Sequence, residues 1–197
     1  MTAISLPLRF TTKKNRTVTI RLLTLEDSEQ SREYINQISA EDTFIGFSGE
    51  QLTADQELDY IKESIASMNE GNSLHLLAGF EGKIVAMCDA RRDMSLKKRS
   101  AHIAQFGLTV TREFRGEGLG EAILKLTIDI LPTYITNIRL LKLSTFGPNE
   151  VALALYQKLG FQQYGVLSGG IFFHGQFVDH ILMSRPICPF SIMLLTV

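Results

Sequence analysis

The sequence predicts a mixed α/β fold: a central, mostly antiparallel sheet flanked by helices. Two observations carry this expectation. Three strands follow one another between residues 74 and 110, before any crossover helix, and helices then alternate with strands up to a closing strand pair. The order reads β, α, α, three strands, α, β, α, then two strands.

Each element has its own signal. Residues 17–23 (Thr-Val-Thr-Ile-Arg-Leu-Leu) are rich in β-branched side chains and read as the first strand. A helix starts near Asp27, and Phe44, Ile45 and Phe47 then break the pattern into a loop. Thr53 and Gln56 are spaced as a capping box, after which Leu58, Ile61, Ile65 and Met68 recur at helical spacing until Gly71. Residues 74–80 and 83–90 flank Glu81-Gly82 as a hairpin. Arg91, Arg92, Lys97, Lys98 and Arg99 follow, and a solvated loop is the plainer reading of so many charges.

From residue 102 alternation resumes, with Ala104, Phe106, Leu108 and Val110 on one face. A Gly-rich segment comes next. Leu119, Ala122, Ile123, Leu126 and Ile130 then form a helical stripe whose length Pro132 is expected to limit. Residues 138–146 read as a strand. Asn149 caps a short helix with Ala152, Leu155, Tyr156 and Leu159 inward and Gly160 as its stop. Residues 161–167 and 176–185 supply the last two strands.

Composition narrows the class. The 197 residues, 45% of them hydrophobic, suit one domain over 1–197, with residues 1–15 and the apolar tail 186–197 peripheral. A net charge of −1 gives no argument for nucleic acid or an anionic membrane surface. Two cysteines, Cys88 and Cys188, cannot by themselves make a disulfide framework or a four-ligand zinc site. The chain shows no leader and no apolar run of about 20 residues, so a cytoplasmic location is expected. The tail leaves a homodimer open.

The chemistry concentrates in residues 115–120 (Arg-Gly-Glu-Gly-Leu-Gly). A P-loop would need Lys-Ser/Thr after its glycines, and none follows. A dinucleotide fingerprint needs a third Gly, but Glu121 or Ile123 occupies that position, and residues 138–146 hold no acidic residue. What remains is Arg115-x-x-Gly118-x-Gly120 between a strand and an amphipathic helix. Glycines let backbone N–H groups converge on an anion, the helix start adds its dipole, and Arg115 adds a charge-assisted hydrogen bond. A tight turn with Gly for geometry alone is the competing reading.

The layout resembles the GNAT superfamily of acyl-CoA-dependent N-acetyltransferases over most of the chain. The phosphate turn matches the family's Arg/Gln-x-x-Gly-x-Gly/Ala, and Asn149, Ala152, Leu155-Tyr156 and Gly160-Phe161 match its second motif in order. Asp179 to Met183 resembles its final strand. Residues 102–107 (His-Ile-Ala-Gln-Phe-Gly) further look like a bacterial branch acting on small amines or amino acids.

The resemblance implies a sheet splayed at a coenzyme cleft and direct transfer of acetyl from acetyl-CoA to a small-molecule amine, without metal. Leu108, Thr109 and Val110 would pair with the pantetheine arm, and Arg115, Gly116, Gly118, Leu119 and Gly120 would hold the pyrophosphate. Asn149 and Tyr156 would also contact the coenzyme; Asn149 serves equally well as a simple helix cap. Tyr156 would protonate the leaving thiolate. The usual carboxylate base is replaced by Gln105, and His102 on the same strand is the nearest titratable substitute. Phe44, Ile45, Phe47, Phe172 and Phe173 would wall the acceptor pocket, where no acidic cluster is visible, so a hydrophobic amino acid or arylalkyl amine is expected rather than a polyamine. Other readings are a coenzyme-binding sensor module without turnover, and acetylation of a protein or peptide amine.

Overall fold

The computed structural model of the chain describes residues 5–187, so Cys188 and most of the apolar tail lie outside the described residues. The elements run β1 (Leu8–Thr11), β2 (Thr17–Leu22), α1 (Ser28–Ala40), α2 (Ala54–Asn69), β3 (Ser73–Phe80), β4 (Lys83–Arg92) and β5 (Ile103–Val110). They continue with α3 (Leu119–Tyr134), β6 (Leu140–Phe146), α4 (Glu150–Lys158), β7 (Gln162–Phe173) and β8 (Gln176–Pro186). Strand order is β1-β2-β3-β4-β5-β6-β8-β7, mostly antiparallel, with β5 and β6 parallel. The mixed α/β fold is as expected.

Two compact units make up the chain. The first takes the residues up to Arg91 and Phe106–Thr136; the second takes Arg92–Gln105 and the residues from Asn137 onward.

In the first unit β3 is the centre. Its segment Ser73-Leu74-His75-Leu76-Leu77-Ala78 is buried throughout, because α2 packs against it and α3 does too. A strand covered on both faces carries a near-continuous apolar run instead of alternation. Ser73 and His75 are the polar exceptions in that run. Leu77 joins Leu23, Tyr34, Ile38, Ile61 and Ile84 in one core cluster. The capping box on α2 is present: the Thr53 hydroxyl accepts from the Gln56 N–H at 3.3 Å, and the Gln56 side chain accepts from the Thr53 N–H at 2.9 Å.

Three details differ from the sequence expectation. β1 precedes the strand expected at 17–23 and pairs with β2 in register Leu8↔Ile20; a four-residue edge strand is too short for alternation to show. α3 continues past Pro132 to Tyr134. A proline so near the C-terminus removes one intrahelical N–H bond from a turn that is about to end, which the helix tolerates. The buried surface of α3 also exceeds a stripe, adding Leu124, Thr127, Ile128 and Leu131.

In the second unit, Ile103–Gln105 of β5 pair in parallel with Leu140–Lys142, β6 pairs with β8 in register Leu143↔Met183, and β8 pairs with β7. β7 runs on to Phe173, six residues beyond its expected end at 167. Among the described residues no helix is long and apolar enough to cross a membrane.

Candidate active site

The Gly-rich turn lies in the first unit. β5 ends at Val110, a 3-10 turn spans Arg112–Phe114, and α3 starts at Leu119. Gly116 and Gly118 adopt φ of +75° and +85°, left-handed values at which a side chain is strained. Nothing lies within 4 Å of where a Cβ on Gly116 would sit, so the backbone there is open to an approaching group. The first-turn amides of α3 lie outside the i→i−4 ladder and face the same end. An anionic diphosphate fits such a cradle. Gly118→Ala is expected to destabilise the protein by about 1–2 kcal/mol, read by chemical denaturation.

What holds this turn was not anticipated. Glu117, between the two glycines, is 1% exposed. Its carboxylate accepts from the Arg16 Nε at 3.1 Å and Nη2, and from the Thr12 hydroxyl at 2.8 Å. Lys14 adds an ion pair at 3.3 Å, and the Lys13 N–H donates to the Glu117 carbonyl at 3.0 Å. The Arg16 guanidinium also stacks 3.4 Å over the Phe114 ring. Its hydrogen bonds hold the Glu117 carboxyl below the usual carboxylate range. The sequence signal was a lone acid between glycines, with Lys13, Lys14 and Arg16 upstream.

Arg115 is engaged locally. Its Nε donates to the Val110 carbonyl at 2.9 Å and its Nη2 pairs with Glu41, whose other oxygen accepts from the Arg112 N–H at 3.3 Å. Glu41 therefore staples the end of α1 to the turn. On β5, Leu108, Thr109 and Val110 are half-buried, and the Tyr34 hydroxyl donates to the Thr109 hydroxyl at 2.8 Å. Burial pushes the Tyr34 phenol up.

Beside these strand residues is a cavity of about 420 Å³, walled by α1, α2, β3, β4 and Gly107–Thr109 of β5. Phe47 lines it, while Phe44 is not among its lining residues. The expectation of no acidic cluster is corrected here: Glu57 and Asp89 both line the cavity, together with His75. The tertiary fold brings α2 and β4 to one wall, which spacing along the chain does not reveal. Glu57 is 2% exposed and accepts from the Ser31 hydroxyl; burial pushes its carboxyl up. Burial likewise pushes the His75 imidazole down to about 4. Asp89 pairs with Arg91 at 3.2 Å.

Cys88 also lines this cavity, but it is buried and burial pushes its thiol up, away from the thiolate a nucleophile needs. Under the direct transfer that the sequence resemblance implies, Cys88→Ala is expected to retain turnover, measured by thiol release; loss of activity in a folded variant would contradict that mechanism.

The second unit holds the remaining expected residues. Tyr156 is 8% exposed on α4, its ring edge-on to Phe161 at 6.1 Å. Asn149 caps α4: its side-chain oxygen accepts from the Ala152 N–H at 3.3 Å and its nitrogen donates to the Thr145 hydroxyl at 3.2 Å. His102 is exposed in the turn before β5, and its carbonyl accepts from the Arg139 N–H at 2.7 Å. Phe172 is exposed on β7 and packs on Phe177 at 5.2 Å; Phe173 packs on Phe146 at 5.4 Å.

A sequence model described as "Acetyltransferase (GNAT) family" matches residues 32–161. The L-amino acid N-acetyltransferase AaaT of Escherichia coli is 26% identical over 110 residues, covering 56% of this chain and 66% of that protein. A spermidine N(1)-acetyltransferase of Escherichia coli is 28% identical over 125 residues, 61% of this chain and 67% of that one. The match thus spans about two thirds of these relatives. An acetyltransferase of the GNAT family from Streptococcus pneumoniae superposes with a TM-score of 0.78 at 26% identity, over 87% of this chain and 99% of that one. A putative acetyltransferase from Salmonella typhimurium, solved with its cofactor acetyl-CoA, shares the fold with a TM-score of 0.75 at 17% identity, over 87% and 95%.

Proposed function

This chain belongs to the acetyltransferase (GNAT) family, and from that premise we propose that it moves an acetyl group from acetyl-CoA to the primary amine of a small molecule or amino acid. The observation that carries the reading is the turn at residues 115–120: two left-handed glycines, Gly116 facing open space and Gly118 beside the Lys13 side chain, at the start of a 16-residue helix. That is the cradle a diphosphate needs.

In this reading the backbone of Gly116, Gly118, Leu119 and Gly120 receives the pyrophosphate. Arg115 contributes only by exchanging its Glu41 partner for phosphate. Leu108, Thr109 and Val110 offer backbone groups to the amide-bearing arm, and Asn149 adds a polar contact. The amine nitrogen attacks the thioester carbon directly, and a backbone N–H near Val110 meets the developing oxyanion. The C–S bond then breaks, and the Tyr156 phenol gives the departing sulfur its proton. His102 is the candidate to take the proton that the amine loses. Phe44, Phe47 and Phe172 are offered as acceptor-side walls; Phe47 has the strongest support, since it lines the cavity.

The test is acetylation of an amine panel with mass detection of the products and parallel measurement of thiol release. Amine-dependent thiol release with a matching acetyl product is expected. Tight acetyl-CoA binding without it would replace the enzyme by a coenzyme-binding module.

A further inference from the structure

Among the polar groups that line the cavity of the first unit, His75, Asp89 and Glu57 have no part in the transfer step described above. His75 is 1% exposed, and neither ring nitrogen has a hydrogen-bond partner. Leaving a buried imidazole unpaired destabilises a fold, so the ring is better explained as waiting for a ligand than as packing. It is neutral at neutral pH, one nitrogen a donor and the other an acceptor.

The register of β3 and β4 sets His75 directly opposite Asp89, so both project from one face of the sheet. Asp89 lies close against β5. A Cβ on Gly107 would stand 2.5 Å from its Oδ1, so only glycine there leaves the carboxylate its place. This sets Asp89 beside Leu108 and Thr109, the strand assigned above to the coenzyme arm. Its side chain is about a third exposed, whereas Glu57 and Ser31 are 2% and 1% exposed. Among the described lining residues there is no lysine or arginine. Arg91 touches Asp89 and Tyr60 from the exposed side and is not part of the wall.

We propose that this cavity selects an amine that carries no carboxylate and that bears, across an apolar spacer, a second hydrogen-bond-donating group. Asp89 receives the reacting ammonium against β5, and Glu57 with His75 receives the second group. The inference rests on the acetyl-transfer reading above. A free amino acid is disfavoured because its carboxylate meets a lining with two carboxyl groups and no lysine or arginine of its own, Arg91 being already paired with Asp89. An amine with an apolar end is disfavoured because it leaves His75 unpaired.

The experiment compares substrates that differ by one group, using the full chain and acetyl-CoA. Tyramine is set against tyrosine, cadaverine against lysine, and hexylamine serves as the amine with one polar end. The decarboxylated member of each pair is expected to exceed its amino acid by ~10²-fold in kcat/KM, and cadaverine to exceed hexylamine by ~10-fold. Asp89→Asn should shrink the first ratio below ~10-fold, and His75→Phe should erase the second, with acetyl-CoA affinity unchanged in both. Preference for tyrosine or lysine over the decarboxylated partner would overturn the inference and leave acetyl transfer standing. Absence of any acetyl product and of thiol release would overturn the transfer reading, and this inference with it.

Discussion

Tyr156→Phe is expected to slow acetyl transfer by ~10²–10⁴ in kcat while leaving acetyl-CoA binding intact. The expectation separates the phenol from the ring. The ring is 8% exposed and packs edge-on against Phe161, and phenylalanine keeps both the volume and that contact. What is removed is an O–H able to protonate the departing sulfur. Single-turnover rates with saturating acetyl-CoA, alongside a thermal melt, distinguish the outcomes. An unchanged rate in a stable variant would return Tyr156 to a packing role and move the acid elsewhere. A drop confined to coenzyme affinity would make it a binding residue.

Glu117→Ala should lower the thermal midpoint by roughly 10 °C and weaken acetyl-CoA binding by at least ~10-fold. Removing the acid leaves Arg16 without its carboxylate over Phe114 and removes the Thr12 and Lys14 side-chain contacts, while the Lys13 N–H bond to the residue-117 carbonyl remains. A double variant that also replaces Arg16 with methionine should recover part of the loss, because a missing pair costs less than a broken one. The pH dependence has a definite sign. The Arg16 hydrogen bonds lower the folded-state carboxyl, so its contribution is complete above the unfolded value of about 4.3 and is lost as pH falls through the folded value. Wild-type stability should therefore fall more steeply on acidification than that of Glu117→Gln. Equal slopes would remove the pair from the account.

These predictions draw on different sources. Tyr156 was legible in the chain, since Asn149, Leu155-Tyr156 and Gly160-Phe161 are local signals within one helix and its cap. Glu117 was visible only as a residue between two glycines. Its partners Thr12, Lys14 and Arg16 lie about a hundred positions upstream, the first two within residues 1–15, expected to be peripheral. Burial of a charge is decided by what folds over it, and sequence periodicity carries no information about that.

The cavity of the first unit follows the same division. Of the aromatic residues expected at an acceptor wall, Phe47 lines it. Glu57 sits where an amphipathic helix turns polar and Asp89 interrupts an apolar strand, and each alone reads as ordinary surface chemistry. His75 carries no sequence signal beyond being titratable. The pairing of β3 with β4, set His75↔Asp89, turned these separate residues into one site.

By itself, then, the sequence determined the α/β class, the order of its elements from the second strand onward, the helix caps at Thr53 and Asn149, and the glycine turn at residues 115–120 that leads into α3. All of these rest on interactions a few residues apart, where periodicity, capping and glycine chemistry act. Only the tertiary structure decided that Glu117 is buried beneath that turn, that Arg115 is held by Glu41, and that a neutral His75 shares a cavity with two carboxyl groups. Those are consequences of strand register and of desolvation by distant segments, and both come into being only when the chain is folded.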